Sequence, residues 1–167
     1  MSRSILFIAS LYILQGCTTY KLGITDGLPF RSIFIPAVIN KTFSPQMQTL
    51  LSTSLRENFS SGKPFSLEGS RNAADASLEI TITQYQRRMA SAQTNDTGKP
   101  ASFYLAMTAK GTLTNNRTGE IYFKDRNFKQ RIQSFGSDKL VERERQNLHI
   151  LARNLSREIH QEVTSSW

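Results

Sequence analysis

Residues 103–113 alternate with a period of two. Phe103, Leu105, Met107, Ala109, Gly111 and Leu113 take one parity, and Tyr104, Ala106, Thr108, Lys110 and Thr112 take the other. Successive side chains of a strand point to opposite faces, so this run satisfies its apolar set as a strand with one buried face. Such a strand needs pairing neighbours and a cover over the apolar side. Leu78, Ile80 and Ile82, alternating with Glu79, Thr81 and Thr83, supply one neighbour, and Asn95-Asp96-Thr97-Gly98 falls in the connecting loop. Asn115-Asn116-Arg117-Thr118-Gly119 is a turn signal. Ile121-Tyr122-Phe123 then opens a third, more polar strand that runs to Ile132. Its apolar parity slips between Phe123 and Phe128, which predicts a bulge there.

The cover comes from two helical stripes. Ser44-Pro45 reads as N-cap and first helical residue, and Met47, Leu50, Leu51, Leu55 and Phe59 follow at helical spacing until Ser60-Ser61-Gly62. A second, longer helix is predicted from about Asp138 to Thr164, with Leu148, Leu151, Ala152, Leu155, Ile159 and Val163 as its stripe. Leu105 and Leu155 are expected to face each other across the layers. Ahead of the first helix, Ser32-Ile33-Phe34-Ile35 is strand-like, and Pro36 places it at a sheet edge or ends it. Asn40-Lys41-Thr42 is a turn, and Phe65-Ser66-Leu67 a short extended piece. The order β-α-β-β-β-α gives a two-layer α/β sandwich, a small mixed sheet with both helices on one face.

Upstream of this domain the chain has a secretory layout. Met1-Ser2-Arg3-Ser4 carries the positive end, and residues 5–14 are an apolar run. The segment Leu14-Gln15-Gly16-Cys17 resembles the lipobox of bacterial lipoproteins. That resemblance implies cleavage before Cys17, the sole cysteine, and acylation of its thiol. Residues 1–16 are then a lipoprotein signal peptide, 17–29 a lipidated tether and 30–167 the domain. The alternative is an uncleaved anchor, although ten residues rise only about 15 Å as a helix, half a bilayer core. Thr18 stands where the familiar inner-membrane sorting signal has aspartate, which favours the outer membrane. An acylated Cys17 leaves no thiol to mispair in an oxidising compartment.

The formal charge of +8 is unevenly spread. Between Gln84 and Ser134, Arg87, Arg88, Lys99, Lys110, Arg117, Lys124, Arg126, Lys129 and Arg131 face only Asp96, Glu120 and Asp125. A positive field of this density suits an anionic partner. Outside the cytoplasm that partner is a phosphorylated lipid, a cell-wall polymer or an acidic protein surface, not nucleic acid. Arg87, Arg88, Lys110, Lys124, Arg126, Lys129 and Arg131 are the candidate ligand-binding residues. They are expected to converge on one side of the meander, away from the helices, with the bulge carrying Lys129 and Arg131 to the side of Lys124. The competing reading of each is a solvated strand face.

Signals for chemistry are lacking. His149 and His160 sit about 16 Å apart along the last helix, too far to share a metal. No nucleophile elbow and no glycine-rich phosphate loop occurs. Asp75 and Glu79 read as a solvated pair at the start of a strand. No cofactor is expected, and the chain is not expected to be an enzyme. Tyr85, Tyr104 and Tyr122 lie near basic residues, and Trp167 is undecided between packing and exposure.

Several segments, in order, resemble the LptE family of lipopolysaccharide-assembly lipoproteins. They are Thr18-Thr19-Tyr20-Lys21-Leu22 after the lipobox, Leu28 to Pro36 with Asn40-Lys41-Thr42, Leu55-Arg56-Glu57-Asn58-Phe59, Ala74 to Leu78, and Leu113 to Glu120. The resemblance covers most of the mature chain and implies the same sandwich. It also implies a place as plug and partner of an LptD-type outer-membrane β-barrel, on the periplasmic face, and binding of lipopolysaccharide. Lipid A phosphates then become the partner of the basic meander, since guanidinium groups grip phosphate through paired hydrogen bonds. An outer-membrane lipoprotein that activates a peptidoglycan synthase is the alternative, and a purely structural lipoprotein a third.

Overall fold

Proline 36 sets the left half of the sheet. A ring at that position removes a ladder donor, so the first strand, β1 (Ser32–Phe34), stops short and the chain re-enters the sheet as β2 (Ile39–Asn40). The structure, a computed structural model, describes residues 29–61, 64–93, 96–135 and 140–165. Cys17, the signal peptide, most of the tether and Trp167 lie outside the described residues.

After β2 come helix α1 (Gln46–Ser61), strand β3 (Ser66–Glu68) and a 3-10 turn (Arg71–Ala73). The meander follows as β4 (Ala76–Gln93), β5 (Asp96–Asn115) and β6 (Ile121–Phe135), and helix α2 (Leu140–Ser165) closes the chain. The sheet order is β3-β1-β4-β5-β6, with β2 also paired to β4. The left-hand pairs are parallel and the meander is antiparallel, so the sheet is mixed as expected. β1 is not an edge strand. It ends after Phe34 between β3 and β4, and the extended piece at Ser66 takes the edge.

Both helices lie on one face. Met47, Leu51, Leu55 and Phe59 of α1 and Leu148, Leu151, Leu155, Ile159 and Val163 of α2 are buried with Leu78, Ile80, Ile82, Leu105, Met107, Ala109 and Leu113 of the sheet. Between the helices, Asn58 Nδ2 donates to Ser156 Oγ at 2.7 Å, and that hydroxyl donates to the Ser54 carbonyl at 2.8 Å. Buried Ser156 is thereby satisfied, as a polar group there must be.

The predicted bulge falls at Lys124 and Asp125, which together oppose Thr112. Asp125 takes a positive φ of 51°, and its N–H donates to Thr112 Oγ1 at 3.2 Å. Beneath it, Gly111 makes room for the Phe123–Phe128 edge contact. A Cβ there would stand 2.8 Å from Phe128 Cε2 and 3.0 Å from Ile80 Cδ1.

Asp75 is no solvated pair with Glu79. Its Oδ2 accepts the N–H groups of Arg31 (3.0 Å) and Ser32 (3.1 Å), and Arg117 pairs with its other oxygen at 2.6 Å. The Arg31 N–H foremost, with Ser32 and Arg117, holds its carboxyl below the usual carboxylate range against the opposing effect of burial. Asn116 locks the same corner, with Nδ2 donating to the Arg71 and Ala74 carbonyls and Oδ1 accepting from Ser77. Glu79 pairs instead with Arg71. This corner fixes where the chain leaves toward the tether.

Candidate functional site

The basic meander is divided between two faces, and two bulges make the division. β4 keeps Leu78, Ile80 and Ile82 on the helix side, then shifts register between Ile82 and Gln84. Parity inverts past that point. Tyr85, Arg87 and Met89 pair with inward Met107, Leu105 and Phe103, while Gln84, Gln86 and Arg88 pair with outward Thr108, Ala106 and Tyr104. On β6, Arg126 comes after the bulge, opposite Gly111, on the face of Phe128.

Arg87 and Arg126 therefore lie on the helix face, against the expectation that all seven cations converge away from it. Arg87 Nη1 donates to Glu144 Oε2 of α2 at 3.0 Å, and its guanidinium stacks 4.5 Å from the Phe103 ring centroid. Tyr85 donates its hydroxyl to the other oxygen of Glu144 at 2.9 Å, and burial with that carboxylate pushes the phenol up. Arg126 pairs with Glu162 at 2.6 Å. These two arginines clamp the two halves of α2 onto the meander.

Arg88, Lys110, Lys129 and Arg131 lie on the outer face, as expected. Their positions follow from register: Arg88 beside Tyr104, Arg131 beside Ala106, Lys129 beside Thr108, and Lys110 between Thr81 and Asn127. With strands about 4.8 Å apart and like-facing residues about 6.7 Å apart, these four positions span about 20 Å by 10 Å. Lys124 sits in the bulge opposite Thr112, exposed at the end of this patch. Arg131 is preorganised, its guanidinium 4.7 Å from the Tyr104 ring centroid. Small Ala106 and Thr108 floor a shallow groove walled by Gln84 and Gln86 on one side and Asn127, Lys129 and Arg131 on the other. The amide walls went unnoticed in the sequence because the register shift at Ile82 hides which glutamines face outward.

Of the remaining candidates, Tyr122 and His160 are structural. Tyr122 packs on Phe30 and accepts a hydrogen bond from Asn115 Nδ2. His160 packs against Phe59 and Phe65, its Nε2 buried without a partner, and burial depresses its pKa. His149 is exposed. Among the described residues, no group of three or more His, Cys, Asp or Glu gathers to hold a metal, and no helix is long and apolar enough to cross a membrane.

A two-layer sandwich with this strand order defines a class of small α/β domain. It resembles an uncharacterized lipoprotein B from Nitrosomonas europaea, with a TM-score of 0.61, 12% identity, and coverage of 86% of this chain and 90% of that one. A protein from Xanthomonas campestris gives 0.57 at 10% identity, covering 85% and 90%, and a putative lipoprotein from Caulobacter crescentus 0.52 at 15%, covering 78% and 86%. At these identities the likeness shows the fold alone. The chain belongs to the LptE family, described as lipopolysaccharide-assembly, whose family model matches residues 30–165. No curated protein matches it.

Proposed function

We propose that this chain is an outer-membrane lipoprotein, anchored through acylated Cys17, that partners an LptD-type barrel and holds lipopolysaccharide by its phosphates on the outer face of the sheet. The observation that carries the ligand reading is the alignment of Arg88, Lys110, Lys129 and Arg131 on one face, around a groove of amide side chains. Guanidinium and ammonium groups are the usual phosphate ligands, and the amides and Thr108 offer hydrogen bonds to sugar hydroxyls. Membership of a lipopolysaccharide-assembly family supports the partner and the compartment. It does not favour a cell-wall-synthase activator.

The test is lipopolysaccharide binding by the paired variant Arg88→Glu/Lys129→Glu, against Arg153→Glu/Arg157→Glu on the exposed side of α2. Loss in the first pair alone supports the face. Equal loss in both reduces it to net charge, and no loss in either removes it. Co-purification of a large β-barrel with the wild-type chain from its native envelope tests the partner separately.

A further inference from the structure

The sheet is closed on the left of β4 only part of the way. β1 pairs with Ala76 and Ser77, β2 with Thr81 and Ile82, and the last bond on that side is Lys41 N–H to the Ile82 carbonyl at 3.0 Å. β4 continues to Gln93. Among the described residues nothing pairs with that side of it beyond Ile82. Gln84, Arg87, Arg88, Met89, Ser91 and Ala92 are exposed along the stretch. An unpaired strand edge of this length is a template for another strand.

Where β2 ends, the chain builds a rigid stop. Asn40 Oδ1 accepts from the Thr42 N–H (2.9 Å) and Thr42 Oγ1 (2.8 Å), and its Nδ2 donates to the Ser44 carbonyl at 2.8 Å. Within this knot the Phe43 side chain is wholly exposed, at 108% of its reference area. Lys41, Phe43 and Ser44 line a groove against Thr83, Gln84 and Tyr85, where the free edge of β4 begins. A ring carried on a hydrogen-bonded turn needs little backbone ordering when it enters a contact, which suits it to anchor a specific partner. The neighbours Thr42, Ser44, Gln46 and Gln48 are polar, which favours a protein contact over bilayer insertion. Lys41 and Arg88 are exposed beside the groove and farther along the edge.

We propose that the upper edge of β4 is a docking strand for an extended, acidic segment of a protein partner. That segment adds in line with β2, and its end packs on Phe43. Backbone ladder bonds supply affinity, while Phe43 and the flanking cations select sequence and charge. Arg88 also belongs to the glycolipid face, but Phe43 and Lys41 do not, so variants at those two residues let the two readings fail separately.

The full chain in detergent is panned against a random peptide library of about a dozen residues. Selected peptides are then measured against Phe43→Asp, Lys41→Glu and Lys129→Glu, each checked for an unchanged melting temperature. Acidic, extended peptides are expected, with affinity about tenfold weaker for Phe43→Asp, several-fold weaker for Lys41→Glu and unchanged for Lys129→Glu. Backbone amide shifts on binding should fall on residues 41–44 and 83–92. The proposal is overturned by an empty selection, by basic peptides, or by affinity that follows Lys129 and ignores Phe43. Concentration-dependent dimerisation abolished by Phe43→Asp would give the edge to a second copy and also overturn it.

Discussion

The two faces of the meander carry arginines at similar spacing and use them in opposite ways. On the helix face, Arg87 and Arg126 find Glu144 and Glu162 of α2, and each has an aromatic ring beside it, Phe103 and Phe123. On the outer face, Arg131 lies over Tyr104, and Arg88, Lys110 and Lys129 stand exposed beside neutral neighbours: Gln84, Gln86, Thr108 and Asn127. A basic strand residue thus clamps a helix or stands open to solvent according to the face it occupies. Fold stability should reside on the helix face and anion affinity on the outer one.

The strongest way to break this contrast is through the core. Leu155→Ala and Leu105→Ala, both buried between the layers, should each lower the unfolding free energy by about 2–5 kcal/mol in denaturant titrations. Losses below about 0.5 kcal/mol would mean that helix and sheet do not meet as described. Gly111→Ala should follow, costing about 1–3 kcal/mol, because its methyl group meets Phe128 and Ile80 in a packed layer. A neutral result there would show that the two aromatic rings give way.

The clamp arginines come next. Arg87 and Arg126 are both partly exposed, so Arg126→Ala is expected to cost no more than about 1 kcal/mol, with a melting temperature a few degrees lower. The outer-face pair Arg88→Glu/Lys129→Glu should leave the melting temperature essentially unchanged while weakening lipopolysaccharide binding. Wild-type binding should also weaken with salt, since exposed charges are screened within about 8 Å at physiological ionic strength. Parallel losses of stability in both sets would erase the distinction between the faces.

The smallest expected effect is on pH dependence. Burial depresses the folded-state pKa of His160, so between the folded and unfolded values the unfolded chain binds the extra proton. Stability should be full above about pH 6.5 and decline as pH falls below it, and His160→Gln should remove that decline. Asp75 is also depressed when folded. Its contribution is present above about pH 4 and is lost at lower pH, as the carboxylate is protonated and releases the Arg31 and Ser32 amides. An unchanged profile in the histidine variant would place the imidazole outside the aromatic cluster.

Much of the fold was legible because periodicity is a local property. The alternation at Leu105 and Met107, the helical stripe from Leu148 to Val163, Pro36 as a strand breaker and the parity slip before Phe128 each reflect an arrangement the chain imposes on itself. The outer cationic face was legible only in outline. Its cations could be counted, but a strand residue's face depends on every bulge before it. The register shift at Ile82 left no mark in the sequence. It inverted Arg87 and Arg88, just as the shift at Asp125 turned Arg126 inward.

What the sequence determined alone was therefore the two helices, the three-strand meander and the strand before Pro36, the layered class, and a family resemblance that the match over residues 30–165 bears out, but not the short β2 at Ile39–Asn40, where it expected a turn. What the tertiary structure decided was, among the described residues, which meander cations pair with α2 carboxylates and which face outward, and that β4 outruns its left-hand neighbours beside an exposed Phe43. The reason is physical. Amphipathic period is set by each segment's own backbone geometry, whereas register, edge and ion pairing are relations between segments far apart in the chain.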